Sequence, residues 1–207
     1  MFKRINWFWQ HAGGGLLAPT LLAILFAQLW SGEVTNTYQW LLWLHLPVVM
    51  LHEFEEYVLP GGFKEFFNSR TIFGMTPPQT NAPLNEPYVF VVNIVVAWVW
   101  IILGAWLAPI APWVGFGPIV FQMFINNVQH TLLFQIKNKG YNPGLVTAVL
   151  LLMPYCVFVT WYIVHNNLFT PADWLLGFAS GIAVFAAFLA TTMTLRRRMQ
   201  RRINEIV

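Results

Sequence analysis

Six apolar stretches, at roughly 13–31, 37–59, 87–108, 117–137, 143–165 and 171–195, leave this chain few ways to fold in water. Each is close to the ~20 residues that a helix needs to cross a bilayer. Pro, Gly and Asn punctuate the connections, and only one of these, 60–86, is long. Charged residues make up 9% of the sequence, whereas an ordinary soluble domain carries about 25%. So small a supply cannot cover a water-facing surface. The expected fold is an all-α polytopic membrane protein: one transmembrane domain over 1–207, built as a bundle of about six helices.

The basic residues orient that bundle. With the N-terminus inside, Lys3, Arg4, Lys64, Arg70, Lys137, Lys139 and the arginines 196, 197, 198, 201 and 202 all fall inside or at an inner helix end. The opposite connections, around 32–36, 109–116 and 166–170, contain no Lys or Arg. This positive-inside asymmetry puts both termini in the cytoplasm and fits a bacterial inner (plasma) membrane. The C-terminal arginines follow an apolar run directly, so they read as an anchor that attracts anionic lipid. No nucleic-acid-binding motif accompanies them, and no nucleic-acid partner is expected. The start, Lys3-Arg4 and then Trp7, Phe8 and Trp9, resembles a signal peptide, but Gly13, Gly14 and Gly15 interrupt it. The expectation is an interfacial lead into a retained first helix. The single cysteine, Cys156, excludes an intrachain disulfide and any Cys-rich metal site. In the long connection, Phe63, Phe66 and Phe67 beside Lys64, Glu65 and Arg70 fit a short amphipathic helix on the inner leaflet or an ordered loop.

Ionisable groups are costly in hydrocarbon, so their positions carry information. The second stretch holds His45, His52, Glu53, Glu55 and Glu56. At about 100° per residue, taking His52 as zero, Glu55 lies near −60°, Glu56 near +40° and His45 near −20°. These four share a face, and Glu53 projects away toward a solvated or paired position. The fourth stretch offers His130, with Asn126 one turn away and Asn127 beside it. Both His52 and His130 sit about 10 Å from the inner ends of their helices. Glu86 and Asn93 on the third helix and Tyr141 in the inner turn approach the same depth. His45 is about 10 Å deeper, which suits contact with the site or a substrate rather than the same ion.

The string His52-Glu53-Phe54-Glu55-Glu56 resembles the signature of the HXXEE family, small multi-pass proteins of uncharacterised function. A second histidine and a Tyr-x-Pro-Gly motif follow in that family. Here His130 and Tyr141-Asn142-Pro143-Gly144 stand in the same order. The likeness runs over roughly 45 to 145 and implies an active or binding site, without naming a substrate.

Three functions compete. The first is a metal-dependent membrane enzyme, a hydrolase or oxidoreductase, acting on a lipid or other apolar substrate in the cytoplasmic leaflet. Its ligands would be His52, Glu55, Glu56 and His130; Glu55, Glu56, Tyr141, Asn126 and Asn127 are the candidate catalytic groups; His45, Glu86 and Asn93 would support them. A divalent ion held without cysteine would be Zn, Fe or Mn. The second is metal-free acid–base chemistry, such as an isomerisation within the bilayer, by His52 and Glu56 with a facing His or Asn. The third is a binding protein or transporter for a cation or apolar ligand. One imidazole beside two carboxylates leaves excess negative charge, which a purely structural cluster would avoid.

Overall fold

The computed structural model describes residues 1–205, and these form seven helices and no strand. In chain order they are α1 (Phe2–Ser31), α2 (Thr37–Tyr57), the short α3 (Phe63–Arg70), α4 (Glu86–Leu107), α5 (112–133, with a last turn at Gln135–Asn138), α6 (Leu145–His165) and α7 (Pro171–Asn204). Four of them, α1, α4, α6 and α7, are long and apolar enough to cross a membrane. The other two long helices carry the polar side chains: His and Glu on α2, and Gln122, Asn126, Asn127, Gln129 and His130 on α5. The six expected stretches are all helical, but they divide into four apolar walls and two helices bearing the chemistry.

Packing puts those two helices inside. α2 contacts α1, α4 and α6, and α5 contacts α4, α6 and α7. Small residues set the spacing: Gly104 of α4 lies against the backbone of Gly115 of α5, where an added Cβ would come within 2.8 Å. Close approach of this kind, through small side chains, is how helices pack in lipid. Start signals are local. Asn36 accepts the amide of Gln39 at 2.9 Å and Asn85 that of Tyr88 at 3.0 Å, and Thr170 with Asp173 forms a reciprocal capping box.

Two departures from the sequence reading concern the end of the bundle that carries both termini. First, α1 begins at Phe2 and runs without a break through Gly13–Gly15. The glycines do not interrupt it, because they let α1 sit directly on Phe54 of α2 and Trp98 of α4. Second, α3 does not spread its aromatic face over a leaflet. It buries Phe63, Phe66 and Phe67 in the bundle, in a cluster with Trp9, Leu84, Val89 and Phe134. Asn68 then closes the loop behind it, donating to the carbonyls of Thr80 (2.9 Å) and Leu84 (2.8 Å) and accepting the Leu84 amide (2.9 Å). Arg196 of α7 donates to the Gly74 carbonyl at 2.9 Å, so the C-terminal helix braces this loop as well.

A separate apolar core occupies the other half of the bundle, where Leu41, Leu42, Leu46 and Val49 of α2 meet Ile101, Phe116, Ile119, Leu152 and Val159. His52, Glu56 and His130 lie between the two cores.

Candidate metal centre

His52 and Glu56 are one turn apart on α2, and His130 reaches them from α5. The two imidazoles have ring centroids 5.1 Å apart and stand at 84°. Nε2 of His130 is 3.2 Å from Oε1 of Glu56, and Nε2 of His52 is 3.6 Å from the same oxygen. All three side chains are buried.

The outer nitrogens fix the tautomers. Asn142 donates from Nδ2 to the His130 carbonyl at 3.1 Å, which turns its Oδ1 toward Nδ1 of His130 at 2.6 Å. An amide oxygen only accepts, so the His130 proton is on Nδ1. On the other ring, Thr147 donates its hydroxyl proton to Oε2 of Glu55 at 2.5 Å and lies 2.8 Å from Nδ1 of His52. With its one proton committed, Thr147 can only accept from His52, so that ring also carries its proton on Nδ1. Both Nε2 lone pairs therefore face the Glu56 carboxylate, and neither Nε2 has a hydrogen-bond partner. Three electron-rich atoms converge on a buried interior point. A cation there would satisfy all three at once.

The spacing fits such an ion. Bonds of 2.0–2.2 Å at tetrahedral angles put ligand atoms about 3.3–3.6 Å apart. The separations of 3.2 and 3.6 Å lie within about 0.1 Å of that range. His52, Glu56 and His130 each offer one ligand atom within 4.8 Å of the others, so they could hold a metal ion. Imidazoles that donate their far N–H to an oxygen are also the usual form of metal-bound histidine.

Gly144 makes the convergence possible. Its φ is +96°, and a Cβ there would fall 2.6 Å from Cε1 of His130 and 2.9 Å from both Cε1 of His52 and Cγ of Glu56. The turn 141–144 thus roofs the centre, with Asn142 orienting one ligand and Gly144 lying flat on all three. On the opposite side Phe63 of α3 stacks on the His130 ring, with centroids 5.5 Å apart. A small cavity of about 30 Å³ touches Glu56 and is lined by Tyr57, Asn93, Asn126 and Gln129. That is room for a water or one small polar group.

Glu55 departs from the expected ligand set. It turns away from the centre to the start of α6, where it accepts the backbone amides of Val146 (3.2 Å) and Thr147 (2.7 Å) and the hydroxyl of Tyr141 (3.0 Å). A helix N-terminus has unpaired N–H groups that favour a carboxylate, and this pull outweighs the shared face on α2. Tyr141 is correspondingly directed at Glu55 and not at the three ligands. Burial, then its hydrogen bond to Glu55 and the nearby carboxylate charge, push the Tyr141 phenol up to about 12.

The remaining candidates divide in the same way. Asn126 lines the cavity beside Glu56 and donates to Gln122. Asn93 also lines it and donates to the Tyr57 hydroxyl at 3.1 Å. Asn127 is turned to the Met123 sulfur at 3.2 Å and does not reach the cavity. Glu86 is a clamp at the bundle end, bound by Lys64 Nζ at 2.5 Å and Asn6 Nδ2 at 2.7 Å. His45 stacks on Tyr155 with centroids 4.9 Å apart, deep in the apolar core. Glu53, expected to be solvated or paired near the interface, is 3% exposed and accepts the Trp98 indole N–H at 2.7 Å. Thr147, Asn142 and Gln129 were not singled out from sequence. Asn142 sits inside the Tyr-x-Pro-Gly string, whereas a lone Thr or Gln in an apolar helix gives no comparable signal.

The pattern described as "Protein of unknown function with HXXEE motif" matches residues 43–159, more than half of the chain. The chain belongs to the HXXEE family. The matched span takes in all three candidate ligands together with Asn142, Gly144 and Thr147, so the HXXEE signature and its roof lie within one family segment. No match was found among curated proteins or solved structures.

Proposed function

We propose that this HXXEE protein is a metal-dependent integral-membrane enzyme acting on a lipid or other apolar substrate in the cytoplasmic leaflet. The observation that carries the reading is the convergence of two Nε2 lone pairs and one carboxylate oxygen on a single buried point. His52, Glu56 and His130 would hold the ion. Two nitrogens and one oxygen suit Zn, Fe or Mn. Such an ion, when bound, would supply Lewis-acid or redox chemistry. The protein's own groups do the rest: Asn142 and the Glu55–Thr147 pair lock the rings, Phe63 and Gly144 exclude water, and Asn93, Asn126 and Gln129 offer amides to a polar substrate group.

The same reading places α2 and α5 across the bilayer among the four apolar helices, with both termini in the cytoplasm of a bacterial inner membrane. The exposed side chains of Arg197, Arg198, Arg201 and Arg202 would meet anionic headgroups there.

One observation favours a metal-free alternative. The 3.2 Å approach of His130 to Glu56 would also suit a proton shared between them, giving an acid–base pair for isomerisation. Metal analysis decides. Protein purified from cells supplied with Zn, Fe and Mn should carry close to one ion per chain, lost in both His52→Ala and His130→Ala. Folded wild-type protein that stays metal-free under those conditions refutes the metal reading and leaves the proton-sharing pair.

A further inference from the structure

We infer that the groove between α4 and α7 binds one hydrocarbon chain of the substrate, taken from the bilayer, with the substrate's polar end at Glu56. The inference rests on the proposed site only for what happens at that polar end. The groove has a volume of about 480 Å³, walled by Tyr88, Val92, Val96, Phe121, Val184 and Phe188. Ligand sites typically fall between about 300 and 1,000 Å³. It extends along α4 from Asn85 to Val96, about 16 Å of helix rise, and therefore lies parallel to the tails of the surrounding lipid.

Its shape follows from how α7 packs. α7 lies along α5, and it is pinned to α4 by Tyr88, whose hydroxyl meets the Phe188 carbonyl at 3.2 Å and Thr192 Oγ1 at 2.7 Å. The apolar slot runs past that pin, from Asn85 and Leu195 at one end to Val96 and Val184 at the other.

The floor of the slot gives the groove its meaning. Val92 and Phe188 line both the slot and the small cavity that touches Glu56. One pair of side chains thus stands between a lipid-facing channel and the small cavity that touches Glu56. On the far side of that pair the lining adds three amides, Asn93, Asn126 and Gln129, to the apolar Phe63, Phe67 and Ile125. Gln129 is fully buried, and its Nε2 donor has no partner. An unpaired buried amide is costly, and an ester, amide or hydroxyl oxygen arriving through the slot would satisfy it. An apolar tail and a hydrogen-bonding head are therefore specified by one continuous surface. A second lipid-facing groove, of about 420 Å³ along Leu51, Val146 and Leu151, ends on Glu55. There both carboxylate oxygens already accept hydrogen bonds.

The test uses a diazirine-bearing hexadecanoic acid and the full chain in vesicles of phosphatidylethanolamine and phosphatidylglycerol. Photolysis and peptide mapping should place the label on Phe121, Val184 and Phe188. Ala187→Trp, which fills the slot from α7, and Val96→Trp, which fills it from α4, should each cut that labelling by roughly tenfold or more, since losing even two buried methylenes has that effect on affinity. Both variants should keep the wild-type melting temperature and metal content. His52→Ala should lose metal yet keep the label in the groove, so failure of the metal site and failure of the groove are read separately. Label concentrated on Leu51, Val146 and Leu151, label spread evenly over lipid-facing residues such as Phe26 and Phe158, or labelling indifferent to both tryptophans overturns the inference.

Discussion

Replacing Gly144 by alanine adds one methyl group at the point where three candidate ligands meet. To reach an ordinary 3.4 Å contact, the His130 ring would have to retreat by about 0.8 Å, and His52 and Glu56 by about 0.5 Å each. Metal–ligand distances tolerate only about 0.2 Å, so the centre should open before the fold gives way. Two terms add to the cost in stability. A left-handed backbone at φ +96° costs a non-glycine residue roughly 1–2 kcal/mol, and overpacking costs roughly 1–3 kcal/mol more. The chain supplies its own control in Gly62, which has φ +88° and nothing within 4 Å of an added Cβ. Gly62→Ala carries the backbone term without the contact. Metal content and thermal unfolding in detergent, measured on both variants, separate the two effects. Gly144→Ala should lose roughly tenfold or more of its metal affinity and melt below Gly62→Ala, which should keep its ion. If the two variants are indistinguishable in both measurements, the close packing of the turn on His52, Glu56 and His130 has no energetic meaning and the reasoning fails.

Three further outcomes are expected. Thr147→Val breaks the chain from Glu55 to His52 and should weaken metal binding by roughly 10–100-fold, whereas Thr147→Ser restores it; competition with a chelator measures both. Because the folded Tyr141 phenol sits at about 12 against an ordinary 10, its contribution to stability is complete below pH 10 and is lost as pH rises toward 12; Tyr141→Phe should lack that part of the alkaline decline in pH-dependent melting curves. In a Cys156→Ala background, a cysteine at Lys139 should react with an impermeant thiol reagent only from the cytoplasmic face of sealed vesicles and one at Asn167 only from the opposite face, and the reverse pattern would invert the assigned topology.

What the sequence revealed follows from how far a single helix can be reasoned about. His52 and Glu56 are one turn apart, so their meeting needed only the helical repeat. His130 could be matched to them in depth by counting from its helix end. Glu55 shows the limit of that reasoning: the same wheel places it beside Glu56, but the open amides at the start of α6 draw it the other way. No periodicity on α2 encodes where α6 begins. Glu53 is buried for a related reason, since the Trp98 indole that donates to it comes from α4. The phenylalanines of α3 looked amphipathic in isolation, and whether such a face meets lipid or protein depends on a neighbour. Here that neighbour is Phe134, at the end of α5.

Two of the three candidate ligands arrive together on one turn of α2, and the third comes from a helix inserted two spans later. A chain emerging from the ribosome thus has two of three candidate ligands in place long before the third arrives. An ion captured at that point would join the early and late portions of the bundle as a removable rivet, and its dissociation constant would then report on assembly of the whole protein as much as on local coordination.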